Sequence, residues 1–226
     1  MNFTHIKLTR WVVSSLMAVS LFSVSVIGMS SDAHALVTPF AEPYLGWSAL
    51  GQMNVNNTPT GDVKLGSFSG AAIGARFGVT GLLGMIFAGF DVSHLPSVNF
   101  NPTALGMFDS GNMTRVGVVG GVTLPIPLFP VRAWVGYNFI DKLSSSSHTL
   151  RASIPAGTDL SLSGHAFKVG AGYLLLSLIS INAEYIAEVG NSYEVASGSA
   201  AIPYSGNQVT SHSLLLSVGL PVTLGI

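Results

Sequence analysis

The chain has 226 residues, of which only 8% are charged, and its formal net charge is −1. Ordinary soluble domains carry roughly a quarter charged residues, so this composition does not fit a surface that faces water everywhere. A net charge near zero, without a run of Lys or Arg, excludes the electrostatic signature of a nucleic-acid-binding protein. Cysteine is absent, which excludes a disulfide framework, a thiolate metal site and a cysteine nucleophile.

The first element in the chain has the pattern of an export signal. Lys7 and Arg10 form a short basic start, residues 11–28 are apolar, and an Ala-His-Ala cleavage pattern follows. We expect residues 1–35 to be a cleaved signal peptide and residues 36–226 to form the mature domain. The alternative is an uncleaved helical anchor, because the apolar run is about long enough to span a bilayer. Both alternatives predict export of the remaining chain.

After the leader, the sequence contains no clean helical span. Its most apolar windows are interrupted by three prolines and Arg132 around residue 130, or by Asn182 and Glu184. A chain without such a helix can still cross a bilayer as a closed β-barrel, because closure pairs every backbone amide. Strands in such a barrel alternate between lipid-facing and inward-facing residues with period two.

Two segments alternate clearly. In residues 131–140, Arg132 and Trp134 fall on one face and valines, alanine and aromatic residues fall on the other. In residues 178–189, isoleucines and Tyr185 alternate with polar residues in the same way. Six further segments have similar patterns: about 40–51, 68–79, 84–93, 113–124, 162–174 and 211–224. The pattern predicts an all-β fold, a transmembrane up-and-down antiparallel β-barrel of eight strands.

The connections between these segments alternate in length. Very short connections lie near residues 80–83, 125–130 and 175–177. Long polar connections lie near residues 53–66, 94–111, 142–161 and 191–209. Short turns on one side and long loops on the other are typical of bacterial outer-membrane barrels, with the short turns in the periplasm.

With this layout, the chain resembles the small eight-stranded outer-membrane β-barrels, such as the OmpA transmembrane domain and its porin-like relatives. The resemblance covers the whole predicted mature domain and rests on alternation and connection lengths rather than on a signature motif. It implies a location in the outer membrane of a Gram-negative envelope and outer-membrane lipids as surroundings. The chain departs from the family pattern in ending with Ile226, where an aromatic residue is usual, and in placing Pro221 in the last strand.

The inward-facing parity collects a balanced set of charges. Four acids and four bases belong to it: Glu42, Arg76, Asp91, Arg115, Arg132, Lys168, Glu184 and Glu188. A charge facing lipid at the midplane costs about 2–4 kcal/mol, so these residues are expected inside the barrel. Balanced charges predict a salt-bridged plug in a largely closed lumen. The alternative is a small porin-like channel for ions or solutes, which would need an unpaired constriction of one sign.

A lipid-modifying enzyme is a third hypothesis. Ser163 and His165 are two residues apart, share the lipid-facing parity and fall near the loop end of their strand. An orienting acid is missing from this pair because Glu184 and Glu188 face inward, and His212 has the same weakness. The histidines also lack metal-ligand spacing. We therefore expect no catalytic residues, no metal and no cofactor, and a structural or surface-interaction role whose loop partners the sequence does not identify.

The lipid-facing parity of the second to fourth strands contains many small residues. A possible lateral contact strip consists of Ala71, Ala75, Gly84, Ala88 and Gly120. Association in lipid depends on close van der Waals contact, which small side chains permit. The strip therefore predicts sideways self-association into a homo-oligomer.

Overall fold

In a computed structural model, the described residues are 37–58, 61–82, 84–102, 110–124, 126, 130–146, 159–175, 178–197, 200–204 and 209–223. The predicted signal peptide, its cleavage site and Ile226 lie outside these ranges. No helix within them is long and apolar enough to cross a membrane.

The described residues form ten strands. Their bounds are β1 Val37–Thr58, β2 Gly61–Gly81, β3 Ile86–Pro102, β4 Ser110–Leu124, β5 Val131–Ser146, β6 Asp159–Leu175, β7 Ile179–Ser197, β8 Ala200–Tyr204, β9 Val209–Gly219 and β10 Val222–Thr223. Strands β1 to β7 each pair antiparallel with the next, and β9 pairs with both β7 and β1. This closure confirms the predicted antiparallel barrel of eight strands.

The two remaining strands are short additions to the barrel. Strand β8 pairs only with the far end of β7, where it extends a hairpin beyond the wall. Strand β10 continues the closing strand after an interruption at Leu220 and Pro221, and pairs with β1 at Phe40 and Ala41. The amide of Leu220 still donates to the carbonyl of Pro43 at 2.9 Å. Pro221 therefore interrupts the last strand, as the sequence predicts.

Several segments predicted as long loops are strands. Strand β1 continues to Thr58 and β2 starts at Gly61, so most of residues 53–66 belong to a paired hairpin. Strand β3 likewise reaches Pro102. Polar residues there join the ladder because pairing satisfies their amides even where the strands no longer face lipid.

A β-bulge lies in each of the four strands that lead from the turn end to the loop end of the barrel. The extra residue falls near Leu50 in β1, Pro96 in β3, Ile140 in β5 and Asn191 in β7. A bulge shifts the alternation of inward and outward side chains by one position. Residues beyond it therefore face the opposite way from what a strict period of two predicts.

The outer surface of the barrel carries an apolar band. Its exposed side chains include Leu45, Ile73, Val118, Val135, Val169, Ile181, Leu216 and Val218. Exposed aromatic residues lie toward the loop end of this band: Trp47, Tyr137, Phe139, Phe167 and Tyr185. Soluble monomers rarely expose so much contiguous apolar surface, and an outward apolar band with aromatic girdles is typical of transmembrane barrels.

Candidate functional site: the barrel lumen

Arg76 on β2 is the centre of the largest ion cluster in the lumen. Its Nε lies 3.0 Å from Asp91 Oδ2, its Nη1 lies 3.4 Å from Glu42 Oε1, and its Nη2 contacts Glu184. The guanidinium also lies over the rings of Tyr44 and Trp134, with centroid distances of 4.9 and 4.6 Å. One fully buried cation therefore holds three carboxylates from three different strands.

Two further bases extend this cluster. Arg132 Nη1 lies 2.5 Å from Glu42 Oε2. Lys168 Nζ lies 3.0 Å from Asp91 Oδ1 and 3.7 Å from Glu184 Oε2. Three acids and three bases thus form one connected group, here called the six-residue network: Glu42, Arg76, Asp91, Arg132, Lys168 and Glu184.

Nearer the loop end, a second group surrounds Arg115 on β4. Its Nη2 contacts Glu188, and its Nε lies 3.7 Å from Asp141 Oδ1. Ser211 donates a hydrogen bond to the other oxygen of Glu188. Arg115, Asp141 and Glu188 are called the Arg115 cluster below. Two carboxylates compete here for one guanidinium.

The structure places all eight predicted lumen charges inside the barrel and joins each to an opposite charge. It adds Asp141, which strict period-two alternation does not assign to the lumen. Phe139 and Ile140 are both exposed at the β5 bulge, so Asp141 turns inward. A strict period of two cannot locate that extra residue.

Uncharged polar groups complete the six-residue network. Ser180 donates to Glu42 Oε1, and Asn182 Nδ2 lies 3.4 Å from the same oxygen. The hydroxyl of Tyr44 donates to Asp91 at 3.1 Å. The sequence contained a signal for the first two residues, since Ser180 and Asn182 share the inward parity of Glu184.

Apolar side chains close the lumen at both ends of these charges. At the turn end, Phe40, Phe87, Val119 and Trp134 form one cluster, and Arg132 lies over the Phe87 ring at 4.7 Å. The larger cluster fills the loop-end half, here called the apolar half: Tyr44, Met53, Phe68, Ala72, Leu95, Val98, Met113, Leu143, Ala166, Ile186, Val209 and Leu215.

A small cavity remains between the apolar half and the Arg115 cluster. Its volume is about 20 Å³, and it is lined by Met53, Leu162 and Leu143 together with Asp141 and Glu188. One water molecule needs about 10–15 Å³ of such volume. The cavity therefore has room for a single water and for no larger solute.

Glycines on the inner wall make room for the large side chains of the plug. A Cβ atom at Gly170 would lie 2.3 Å from the Trp134 ring, and one at Gly74 would lie 2.4 Å from the Tyr44 ring. Both distances are far below van der Waals contact. Glycine at these positions lets the aromatic rings lie flat against the wall.

The Ser and His residues of the enzyme hypothesis lie on the outside of the barrel. Ser163 and His165 flank Gly164, which lines the inner cavity, so both point outward. Glu188 lies inside the wall and is bound to Arg115. His212 Nδ1 lies 2.7 Å from the hydroxyl of Tyr185, and the two rings stack. Within the described ranges, no group of three or more His, Asp or Glu residues could hold a metal ion.

The predicted lateral strip is less uniform than the sequence suggests. Ala71 and Ala88 are exposed, and Ala88 faces half-buried Gly120 across the β3–β4 pair. Half-buried Ala75 is separated from Ala88 by two stacked phenylalanine rings, Phe77 and Phe90, whose centroids are 5.8 Å apart.

The assignment of Gly84 to a strand of this strip was wrong. Gly84 lies in the turn before β3 and has a φ of 83°. This left-handed conformation suits glycine because it has no Cβ atom. The strand begins only at Ile86.

The lumen and the apolar band together define a transmembrane β-barrel with a filled interior.

No family model matches the chain, and no curated protein matches it. Among solved structures, the chain is similar to the outer membrane protein AlkL, with a TM-score of 0.51 and 13% identity over 84% of this chain and 92% of that one. The predicted resemblance to small outer-membrane barrels is confirmed at the level of the fold.

Two other solved outer-membrane barrels have lower scores. OprG from Pseudomonas aeruginosa has a TM-score of 0.44 and 10% identity over 83% of this chain and 96% of that one. Ail, the attachment invasion locus protein of Yersinia pestis, has a TM-score of 0.41 and 14% identity over 81% of this chain and 98% of that one.

Proposed function

We propose that this protein is a non-enzymatic barrel of the bacterial outer membrane that serves as a structural or surface-interaction element. One observation carries the proposal: the lumen is filled by paired charges between two apolar clusters. An eight-stranded barrel has an interior only wide enough for side chains. A conduit would need an open constriction lined by unpaired charges of one sign. The predicted leader and the apolar outer band support the outer-membrane location.

Planar-bilayer recordings of the refolded protein test the closed lumen against the channel alternative. We expect the wild type to conduct weakly or not at all. Arg132→Ala should raise any conductance observed, because it removes a side chain that lies over Phe87 and binds Glu42. The matched control is Lys142→Ala on the outer face. Steady porin-like current through the wild type would establish the channel instead.

The enzyme alternative has a separate test. Cells that produce the wild type or a Ser163→Ala, His165→Ala double variant should have identical lipid A profiles, because Glu188 on the neighbouring strand lies inside the wall, bound to Arg115, and does not orient the pair. A modified lipid that disappears only in the double variant would replace the structural role with an enzymatic one.

We also propose that the barrel associates sideways with copies of itself. The contact is centred on Ala88 and Gly120, because small residues allow two barrel walls to approach closely in lipid. A Cβ atom at Gly120 would have its nearest neighbour at 3.7 Å, an ordinary contact distance, so the backbone there tolerates a side chain.

Mass measurement in mild detergent tests this contact. We expect an oligomer that dissociates in the Ala88→Leu, Gly120→Leu double variant. Ala183→Leu is the matched control, since Ala183 is exposed on β7 away from the strip. A monomeric wild type, or an oligomer that survives both bulky substitutions, would contradict self-association through this surface.

A further inference from the structure

A polar row crosses the outer face of the barrel where the apolar band ends. Its members are His94 on β3, Thr114 on β4, Lys142 on β5 and Ser163 on β6, and strand register pairs each with the next. Adjacent strands lie about 4.8 Å apart. The four side chains therefore form a continuous patch, here called the boundary row.

The boundary row lies at the level where the outer surface changes from apolar to polar. Two residues closer to the turn end lie Val116 on β4 and exposed Ile140 on β5. Two residues closer to the loop end lie Asn112 on β4 and Ser144 on β5, which are register partners. This change marks the height of the lipid headgroups, because an outward apolar band about 25 Å tall matches the hydrocarbon layer.

Lys142 differs from the four bases of the lumen. The four lumen bases all contact acids, whereas no acid among the described residues pairs with exposed Lys142. The acids of known exposure are all buried in the lumen: Glu42, Asp91, Asp141, Glu184 and Glu188. Among the side chains that the structure describes, Lys142 therefore places an exposed positive charge on the outer face.

Polar neighbours surround this cation. His94 Nδ1 lies 2.9 Å from Thr114 Oγ1, and Thr114 is the register partner of Lys142. The ring of His165, two residues from Ser163, lies against Tyr137 with a centroid distance of 5.9 Å. Hydroxyl and imidazole groups thus lie on both sides of the ammonium group.

We propose that the boundary row binds the phosphate group of a membrane lipid. The ammonium group of Lys142 pairs with the phosphate, the neighbouring hydroxyls of Thr114 and Ser163 hydrogen-bond to its oxygens, and the acyl chains lie on Val116 and Ile140. Hydrogen bonds to charged groups are stronger than neutral ones. The apolar surface directly below the row favours a lipid over free phosphate, since one exposed lysine in water gives only a weak ion pair.

The proposal predicts selective retention of a phosphorylated lipid. The refolded full chain in non-ionic detergent is mixed with phosphatidic acid, with diacylglycerol of the same acyl chains, or with inorganic phosphate, and bound ligand is measured by native mass spectrometry. The variants are Lys142→Gln, Thr114→Val and the matched control Lys64→Gln, a second exposed lysine outside the row. Folding of each variant is checked by heat-modified electrophoretic mobility.

The wild type and Lys64→Gln should bind phosphatidic acid with equal affinity, while Lys142→Gln should weaken binding about tenfold, the effect of losing one charge-assisted hydrogen bond. Thr114→Val should produce a smaller loss. Diacylglycerol and inorganic phosphate should bind poorly to all forms. Equal binding by the wild type and Lys142→Gln, or equal affinity for phosphatidic acid and diacylglycerol, would overturn the proposal. Tight binding of inorganic phosphate alone would also overturn it, because the site would then not require a lipid.

Discussion

The bilayer-facing section of the barrel and its loop-end section have opposite polarity. On the turn-end part of β5, Val135 and Tyr137 face outward while Arg132 and Asn138 face the lumen. Beyond the bulge on the same strand, Lys142 faces outward and Leu143 joins the apolar half, while Asp141 and Ser145 are also buried. In each section, the side chains that face inward are set by what lies outside the wall. Lipid outside allows a polar interior, and water outside requires an apolar one.

The two sections therefore depend on different interactions. The six-residue network is stable only while each charge keeps its partners, because an isolated buried charge is costly. The apolar half resembles the core of a soluble protein, in which burial away from water provides the stabilisation. Substitutions in the two sections should lower the free energy of unfolding by different amounts and for different reasons.

The largest effect is expected for Arg76→Leu. This change leaves Glu42, Asp91 and Glu184 close together without their shared cation, at a cost of about 3–5 kcal/mol. Urea titration of the refolded barrel would measure it, with exposed Lys64→Leu as the control. An unchanged unfolding midpoint for Arg76→Leu would show that the network does not stabilise the barrel.

A somewhat smaller loss is expected for Leu95→Ala in the apolar half. Leu95 is completely buried, and truncating such a leucine costs about 3 kcal/mol. Leu45→Ala is the control, since Leu45 is 65% exposed on the outer face. If both alanine variants had the same urea midpoint, the loop-end interior would not behave as a packed core.

Arg132→Leu should destabilise less than Arg76→Leu. Glu42 is the one described acid that contacts Arg132, and it keeps its contact with Arg76. The new leucine can pack against Phe87. A loss of about 2 kcal/mol is expected for the carboxylate oxygen left without a partner. Protease accessibility of the loops should not change. A loss as large as that of Arg76→Leu would place the centre of the network at Arg132.

The smallest effect is expected for Asp141→Asn. Asp141 lies 3.7 Å from Arg115, whose closer partner is Glu188, so neutralising it relieves a competition between two acids. The unfolding free energy should change by about 1 kcal/mol or less, because Arg115 keeps its closer partner and the amide has nearly the same volume as the carboxylate. Glu188→Gln is the comparison and should cost more. The opposite order in urea titrations would show that Asp141 is the main partner of Arg115.

Period-two alternation was sufficient to predict the barrel and to predict which residues of its bilayer section face inward. Arg132 and Glu184 were placed correctly because no bulge separates them from the turn end of their strands. Asp141 was missed because one extra residue at Ile140 reverses the alternation after it. The contact between Arg76 and Glu184, 108 residues apart, was also beyond prediction, because partners across the bore depend on how the strands tilt and stagger when the sheet closes.

The extent of the strands was underestimated for a related reason. The Ser- and Asn-rich segments beyond the bilayer have the composition of loops, and composition does not reveal that their amides are paired across β1 and β2. The phenylalanine pair that divides the lateral strip was visible only as two outward aromatic residues. Their stacking depends on the register between β2 and β3.

The closure of β1 against β9 also sets the order of assembly. Glu42, near the start of the described chain, binds Arg76, Arg132 and Ser180, and the wall beside it is completed by Gly219 at the end of β9. Bringing β9 back to β1 costs loop-closure entropy before the contacts across this seam form. Arg76 and Asp91 lie on adjacent strands and do not need that closure. The pairs across the bore, Arg76 with Glu184 and Arg132 with Glu42, form only when the distant strands come together, which makes barrel closure a late and cooperative step.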